Sequence, residues 1–218
     1  MDRINQVLKP DAPKRTLDFG CGSGELVSHL ASCGHEAHGF EQGIDFSSYA
    51  KEQIETGRDN ATIHSGSWRE MKFSAARFDI ITCLHVLEHL NEPIAALKKI
   101  NEWLADDGVL YLETPDMQSY SLKGFDVFHF AHVLGFSRAN LMHAAKLAGF
   151  KLLHEDEPTS FFLVKSRHAA GRDFEYSLED TVRKNHEDYT KGVTLMDYLK
   201  RHKKRVAKVI RTEVKAGR

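Results

Sequence analysis

Four histidines and one acid stand out as groups able to move a proton. His85-Val86-Leu87-Glu88-His89 puts two imidazoles and a carboxylate within five residues, and His129 and His132 follow. Imidazole suits a general base because its unperturbed pKa lies near 6.5. For each of these histidines a structural hydrogen bond competes with a catalytic role, and His85 and His132 lead as bases. A different chemistry is suggested by Asp18-Phe19-Gly20-Cys21-Gly22-Ser23-Gly24. Glycines at alternate positions let a backbone take positive φ and approach a ligand closely, and the N–H groups of the helix that follows face that ligand. Glu41 lies 21 positions after Gly20, about the separation at which an acid after the second strand binds ribose hydroxyls.

The elements that must position these groups follow from periodicity. Thr16–Phe19 reads as a short buried strand, and Glu25–Ala31 as a helix with Leu26, Val27 and Leu30 inward. Glu36–Phe40 is a second strand ending at Glu41. Asp45 then caps a helix to about Glu55 with Phe46, Tyr49, Ala50 and Ile54 on one face. Asn60–His64 is a third strand leading into Ser67-Trp68. Phe78–Leu84 is almost continuously apolar, as a strand covered on both faces should be. Asn91-Glu92-Pro93 opens a helix through Trp103, and Gly108–Pro115 is a fifth strand and its exit. Lys151–Glu157 and Phe161–Val164 form a hairpin around Pro158-Thr159. Alternating strands and helices predict an α/β, doubly wound, mostly parallel sheet with helices on both faces and ligands at the carboxyl ends of its strands.

Composition sets bounds. The chain has 218 residues, 41% hydrophobic and 28% charged, enough for one substantial core and an appendage. No apolar run approaches a membrane span and Met1–Pro10 has no apolar leader, which predicts a cytoplasmic protein. Three cysteines without paired spacing fit free thiols. The net charge of −1 hides an asymmetry: residues 198–218 hold nine Lys or Arg against one acid, leaving 21 against 30 elsewhere. Residues 1–14 read as a polar lead-in, 15–166 as the ligand-binding domain and 167–218 as a basic helical extension, with patches at Leu178–Tyr189 and Leu195–Val214. Such a tail packs on its own domain or a second copy as a homodimer, or contacts an anionic surface or partner. It lacks the interleaved aromatics of a single-strand platform, which disfavours nucleic acid.

The glycine turn resembles motif I of the class I S-adenosylmethionine (SAM) methyltransferases, because it is G-x-G-x-G rather than the dinucleotide G-x-G-x-x-G. Phe78-Asp79, Leu87-Glu88-His89-Leu90, Asp107-Gly108, Glu113-Thr114-Pro115, and His132…Phe136-Ser137…Leu141…Ala148-Gly149-Phe150 fall in the order of the same family, the methyltransferase type 11 and type 23 group, with motifs like those of ubiquinone O-methyltransferases. The resemblance covers roughly residues 15–165. It implies a seven-stranded sheet with the last strand antiparallel, SAM as cofactor, and methyl transfer to oxygen of a small molecule such as a sugar, quinone or lipid-linked intermediate. It implies that Asp18, Gly20, Cys21, Gly22 and Gly24 shape the methionine and ribose pocket and that Glu41, with Gln42, binds the ribose. Ser67 and Trp68 would flank the adenine, Ser67 standing where many members have aspartate. Leu84 and His85 would floor the space between donor and acceptor.

Some of these relatives carry E-x-x-E-H here, holding a divalent ion. Glu88 and His89 match, but His85 replaces the first glutamate, so a metal is not the favoured reading, and imidazole would shift preference from Mg²⁺ toward Zn²⁺ or Mn²⁺. H-x-x-E-H is also a zinc-protease spacing. That reading is rejected because the segment leaves a buried strand. Two rivals use the basic helix, as a SAM-binding scaffold or an RNA methyltransferase. An NAD-dependent oxidoreductase fits less well, since Tyr120 is followed at 124 by glycine and no Tyr-x-x-x-Lys pair exists.

Overall fold

The computed structural model describes residues 12–54, 60–117, 132–180 and 182–183. Strand β1 (Arg15–Phe19) leads through the glycine turn to α1 (Glu25–Ser32), then β2 (Glu36–Glu41), α2 (Ile44–Ile54) and β3 (Ala61–Ser65). Strand β4 (Phe78–Leu84) is followed by a 3₁₀ turn (Leu87–His89), α3 (Pro93–Trp103), β5 (Leu104–Glu113), α4 (Arg138–Leu147), β6 (Phe150–Glu157) and β7 (Ser160–Lys165). The sheet order is β3-β2-β1-β4-β5-β7-β6. All neighbours from β3 to β5 are parallel, and β7 runs antiparallel between β5 and β6. The seven-stranded mixed sheet expected by resemblance is therefore present.

Side-chain alternation divides the packing between two faces. Leu17 and Phe19 of β1, Ile81 and Cys83 of β4, and Leu110 and Leu112 of β5 join Leu97, Ile100 and Trp103 of α3 and Leu141 and Met142 of α4 in the main core. On the other face Val27, Leu30 and Ala31 of α1 meet Ala50 and Ile54 of α2 over Ala37 and Ile63. Phe73, before β4, makes edge contacts with both Phe78 and Trp103. After Lys165 the chain stays on this body: Arg172 bridges Leu152, and Phe174 enters the main core with Tyr176 against it.

Three local expectations are corrected. Helix α2 starts at Ile44, so Asp45 lies in its first turn instead of capping it. Its buried positions are Ser47, Ala50 and Ile54, while Phe46 and Tyr49 are 61% and 55% exposed. Ser47 tolerates burial because its hydroxyl donates to the Ile44 carbonyl at 3.1 Å. Strand β5 begins at Leu104, four residues before Gly108, because Leu104 already pairs with Phe78. Among the described residues no helix is long and apolar enough to cross a membrane. His129, the lead-in as far as residue 11, the helix at 195–214 and most of that at 178–189 lie outside the described residues.

Candidate active site

The order reverses direction between β1 and β4, the switch point at which open α/β sheets form their ligand crevice. A cavity of about 270 Å³ lies there, bounded by Phe19 and Gly20 after β1, Phe40, Glu41 and Gln42 at the end of β2, Trp68 after β3, and His85, Val86, His89 and Leu90 after β4. A larger cleft of about 360 Å³ sits between α1 and α2, lined by Ser23, Gly24, Tyr49 and Gln53, and holds no imidazole. The chemistry therefore marks the smaller cavity.

The glycine turn is built as the spacing requires. Gly20, Gly22 and Gly24 all have positive φ. A Cβ on Gly20 would fall 2.3 Å from Val86 Cγ2, so only glycine lets the segment after β4 close on the turn after β1. Glu41 anchors the other side. Its Oε2 accepts from the Gly22 N–H at 2.9 Å and its Oε1 from the Gly43 N–H at 2.7 Å, which holds the carboxylate against the cavity. Asp18 lies behind this wall, buried, accepting a 2.7 Å bond from the Thr82 hydroxyl. Burial raises its pKa to about 6, assisted by the nearby Glu41 charge and opposed by the Thr82 bond. Cys21 is also buried, its thiol pushed up to about 12 by loss of solvent, with the Asp18 and Glu41 charges adding.

Trp68 forms one wall, with the Arg69 guanidinium 4.6 Å from its ring centre. The Ser67 hydroxyl accepts from the Arg69 N–H at 3.3 Å. Leu84 packs instead on the cluster of Tyr111 and Phe162. Of the sequence-derived residues, Gly20, Glu41, Gln42, Trp68, His85 and His89 border the cavity; Asp18 and Cys21 support it from behind; Gly24 borders the second cleft.

Beyond β4 the chain turns abruptly. His85 has φ +55, a left-handed conformation unusual for a side chain with a Cβ. Its ring is 56% exposed, with Nε2 3.2 Å from Glu113 Oε1. That contact raises the His85 pKa against the opposing effect of burial. Glu88 lies 2% exposed on the inner side, and neither carboxylate oxygen has a hydrogen-bond partner among the described residues. Burial raises its pKa. The Glu88 backbone carbonyl receives the N–H groups of Val133 and Leu134, which brings His132 up to His89, ring centres 5.0 Å apart. Ligand atoms of Glu88, His89 and His132 lie within 4.8 Å of one another. An orphaned buried carboxylate facing two imidazoles fits a divalent cation, and two nitrogen donors with one oxygen suit a borderline ion. His85 is not in that group, being drawn toward Glu113. In the sequence Glu113 stands out only as part of the Glu113-Thr114-Pro115 element, with no site role, and Tyr111 and Ser160 do not stand out as site residues. Alternation on β5 could have paired Tyr111 with Glu113, but Ser160 arrives only through the fold.

An acid closing β2 and hydrogen-bonded to the glycine turn after β1, in a sheet of this order, is the arrangement of the class I SAM-dependent methyltransferases. A family model described as a methyltransferase domain matches residues 1–155, and the chain belongs to that family. It is 31% identical over 106 residues to a ubiquinone biosynthesis O-methyltransferase of Haemophilus ducreyi, an alignment covering 46% of this chain and 45% of that protein. The chain thus spans about half the length of the curated relatives it matches. A SAM-dependent methyltransferase from Aquifex aeolicus shares its fold, with a TM-score of 0.58 and 15% identity over 73% of this chain and 87% of that one. So does the [4+2]-cyclase SpnF, at 0.60 and 18%, covering 72% and 59%.

Proposed function

We propose that this chain transfers the methyl group of SAM to an oxygen of a small molecule, a phenol or catechol hydroxyl of a quinone-type intermediate. The observation that carries the reading is the placing of an imidazole, His85, on the cavity that also contains Glu41 and the glycine turn. Glu41 would accept from the ribose diol of SAM and Trp68 would wall its adenine, with Gln42 at the rim, and the bound cofactor would supply the electrophilic methyl group. The acceptor hydroxyl sits about 3 Å from the methyl carbon, opposite sulfur. Its proton passes to His85, its oxygen bonds the methyl carbon, and the carbon–sulfur pair returns to sulfur as the sulfonium becomes a thioether. A divalent ion, when held by Glu88, His89 and His132, supplies Lewis acidity that favours the ionised acceptor.

The names of the curated relatives support oxygen as the acceptor atom and a quinone-type substrate. Free Cys21, Cys33 and Cys83 support a cytoplasmic setting. Residues 15–166 form the cofactor-binding unit, with Phe174 and Tyr176 of the following segment packed on its core. The test is titration calorimetry with SAM and with NADH, followed by mass spectrometry of catechols and phenols incubated with SAM. Micromolar SAM binding and a 14 Da gain on a catechol are expected (about the mass of one CH₂, with rates in the ordinary enzyme range). Binding of NADH without SAM would overturn the assignment.

A further inference from the structure

The Glu113 carboxylate gathers three side chains at the carboxyl end of β5. Besides His85 Nε2 on Oε1, the Tyr111 hydroxyl donates to Oε2 at 2.8 Å and the Ser160 hydroxyl to the same oxygen at 3.0 Å. The Tyr111 and Ser160 hydroxyl oxygens are 2.9 Å apart. Register explains the meeting. Glu113 pairs with Leu84 on one neighbouring strand and with Ser160 on the other, and Tyr111 lies two residues back on the same face. The backbone holds His85 as well, since its N–H donates to the Glu113 carbonyl at 2.9 Å. With φ +55 at His85, the ring lies between two carboxylates, its Nε2 3.2 Å from Glu113 Oε1 and its Nδ1 3.8 Å from Glu88 Oε1.

We propose that Glu113 is a positioning residue that acts through His85. Its carboxylate accepts the Nε2–H, which fixes the neutral ring as that tautomer and leaves the lone pair on Nδ1 to take the acceptor's proton. Tyr111 and Ser160 fix the carboxylate in turn, leaving one oxygen for His85. Nδ1 is 3.8 Å from Glu88 Oε1, beyond hydrogen-bond reach, so that carboxylate does not compete. After transfer the imidazolium is stabilised by the Glu113 charge. Glu113 is held ionised, its pKa lowered to about 2 chiefly by the His85 bond, with Tyr111 and Ser160 adding.

The inference rests on His85 being the base, so its test has one arm independent of turnover. Nitrogen-15 imidazole NMR of the full chain with S-adenosylhomocysteine, at a pH where the ring is neutral, should show His85 protonated on Nε2. Glu113→Gln should give a tautomer mixture, because the amide can accept or donate, with S-adenosylhomocysteine affinity within about 3-fold of wild type. Nδ1 protonation in the wild type, or an unchanged tautomer in the variant, overturns the proposal. The second arm is a kinetic cycle with a catechol acceptor. Glu113→Gln should lower kcat about 10- to 100-fold without moving KM for SAM, and should have no further effect in His85→Ala. Equal losses on both backgrounds would mean a structural role and overturn it. If no catechol is methylated, the functional reading fails while the NMR arm still decides this one.

Discussion

Asp18→Asn should stabilise the ligand-free protein above pH 6 and change nothing near pH 4. Asp18 is fully enclosed between β1 and β4, and its carboxyl ionises near pH 6 against an ordinary 3.8. The folded state therefore holds a proton between those values that the unfolded chain has released. Stability contributed by this group falls as pH rises through that window and stays lowered above it. Roughly two pH units correspond to about 3 kcal/mol. Asparagine carries no charge to desolvate and still accepts the Thr82 hydroxyl through its amide oxygen, so the 2.7 Å bond survives. For a chain of this size, about 3 kcal/mol is a Tm gain of roughly 6–12 °C. Thermal unfolding of both proteins followed by circular dichroism from pH 4 to 8 reads the difference, in which the other carboxylates cancel. The gap should open between pH 4 and 6 and then level. A gap independent of pH, or a wild type more stable at pH 8, would refute burial as the cause.

Three further substitutions probe the site and its support. Glu41→Ala removes the acceptor for the Gly22 and Gly43 N–H groups as well as for the ribose; two charge-assisted bonds set a loss of SAM affinity of about 100-fold or more, and calorimetry showing under 3-fold would remove Glu41 from the cofactor site. Gly24→Ala sets a Cβ 2.1 Å from Ile54 Cδ1 at φ +81, so urea unfolding should show about 1–3 kcal/mol of destabilisation. Trp103→Ala empties a fully buried position packed by Phe19 and Phe73 and should cost about 3–5 kcal/mol in the same assay; a loss under 1 kcal/mol would mean that the core had closed over the gap.

What the sequence showed and what it hid have separate physical causes. Strand β4 was legible because burial on both faces leaves no polar alternation to misread: Ile80, Ile81, Thr82 and Cys83 are all buried. The glycine turn and Glu41 were legible because their roles lie in backbone conformation and a fixed crossover length, both local properties. Helix α2 misled because Phe46 and Tyr49 are apolar yet point outward, and only the position of α1 decides which stripe is covered. His85 was legible as a candidate base, but its partner was not: the Glu113 carboxylate reaches Nε2 only through the pairing of β4 with β5, and His132, far along the chain, joins Glu88 and His89 only in the fold.

That division follows from one reversed strand. In a wholly parallel sheet each strand brings its last residue to the ligand edge, so neighbours of β5 could offer only strand-end side chains. Strand β7 runs the other way, and its first residue, Ser160, stands opposite the last residue of β5, Glu113. The β6–β7 hairpin therefore delivers a hydroxyl to the carboxyl end of the sheet. Thr159, just before it, donates to the Thr114 carbonyl at 2.7 Å and secures that end. A one-residue slip of β7 would send Ser160 to the opposite face and free a Glu113 oxygen to swing. In the proposed mechanism the ends of β1 and β2 bind the cofactor, the ends of β4 and β5 and the start of β7 set the proton acceptor, and the antiparallel strand is what brings Ser160 into the second set.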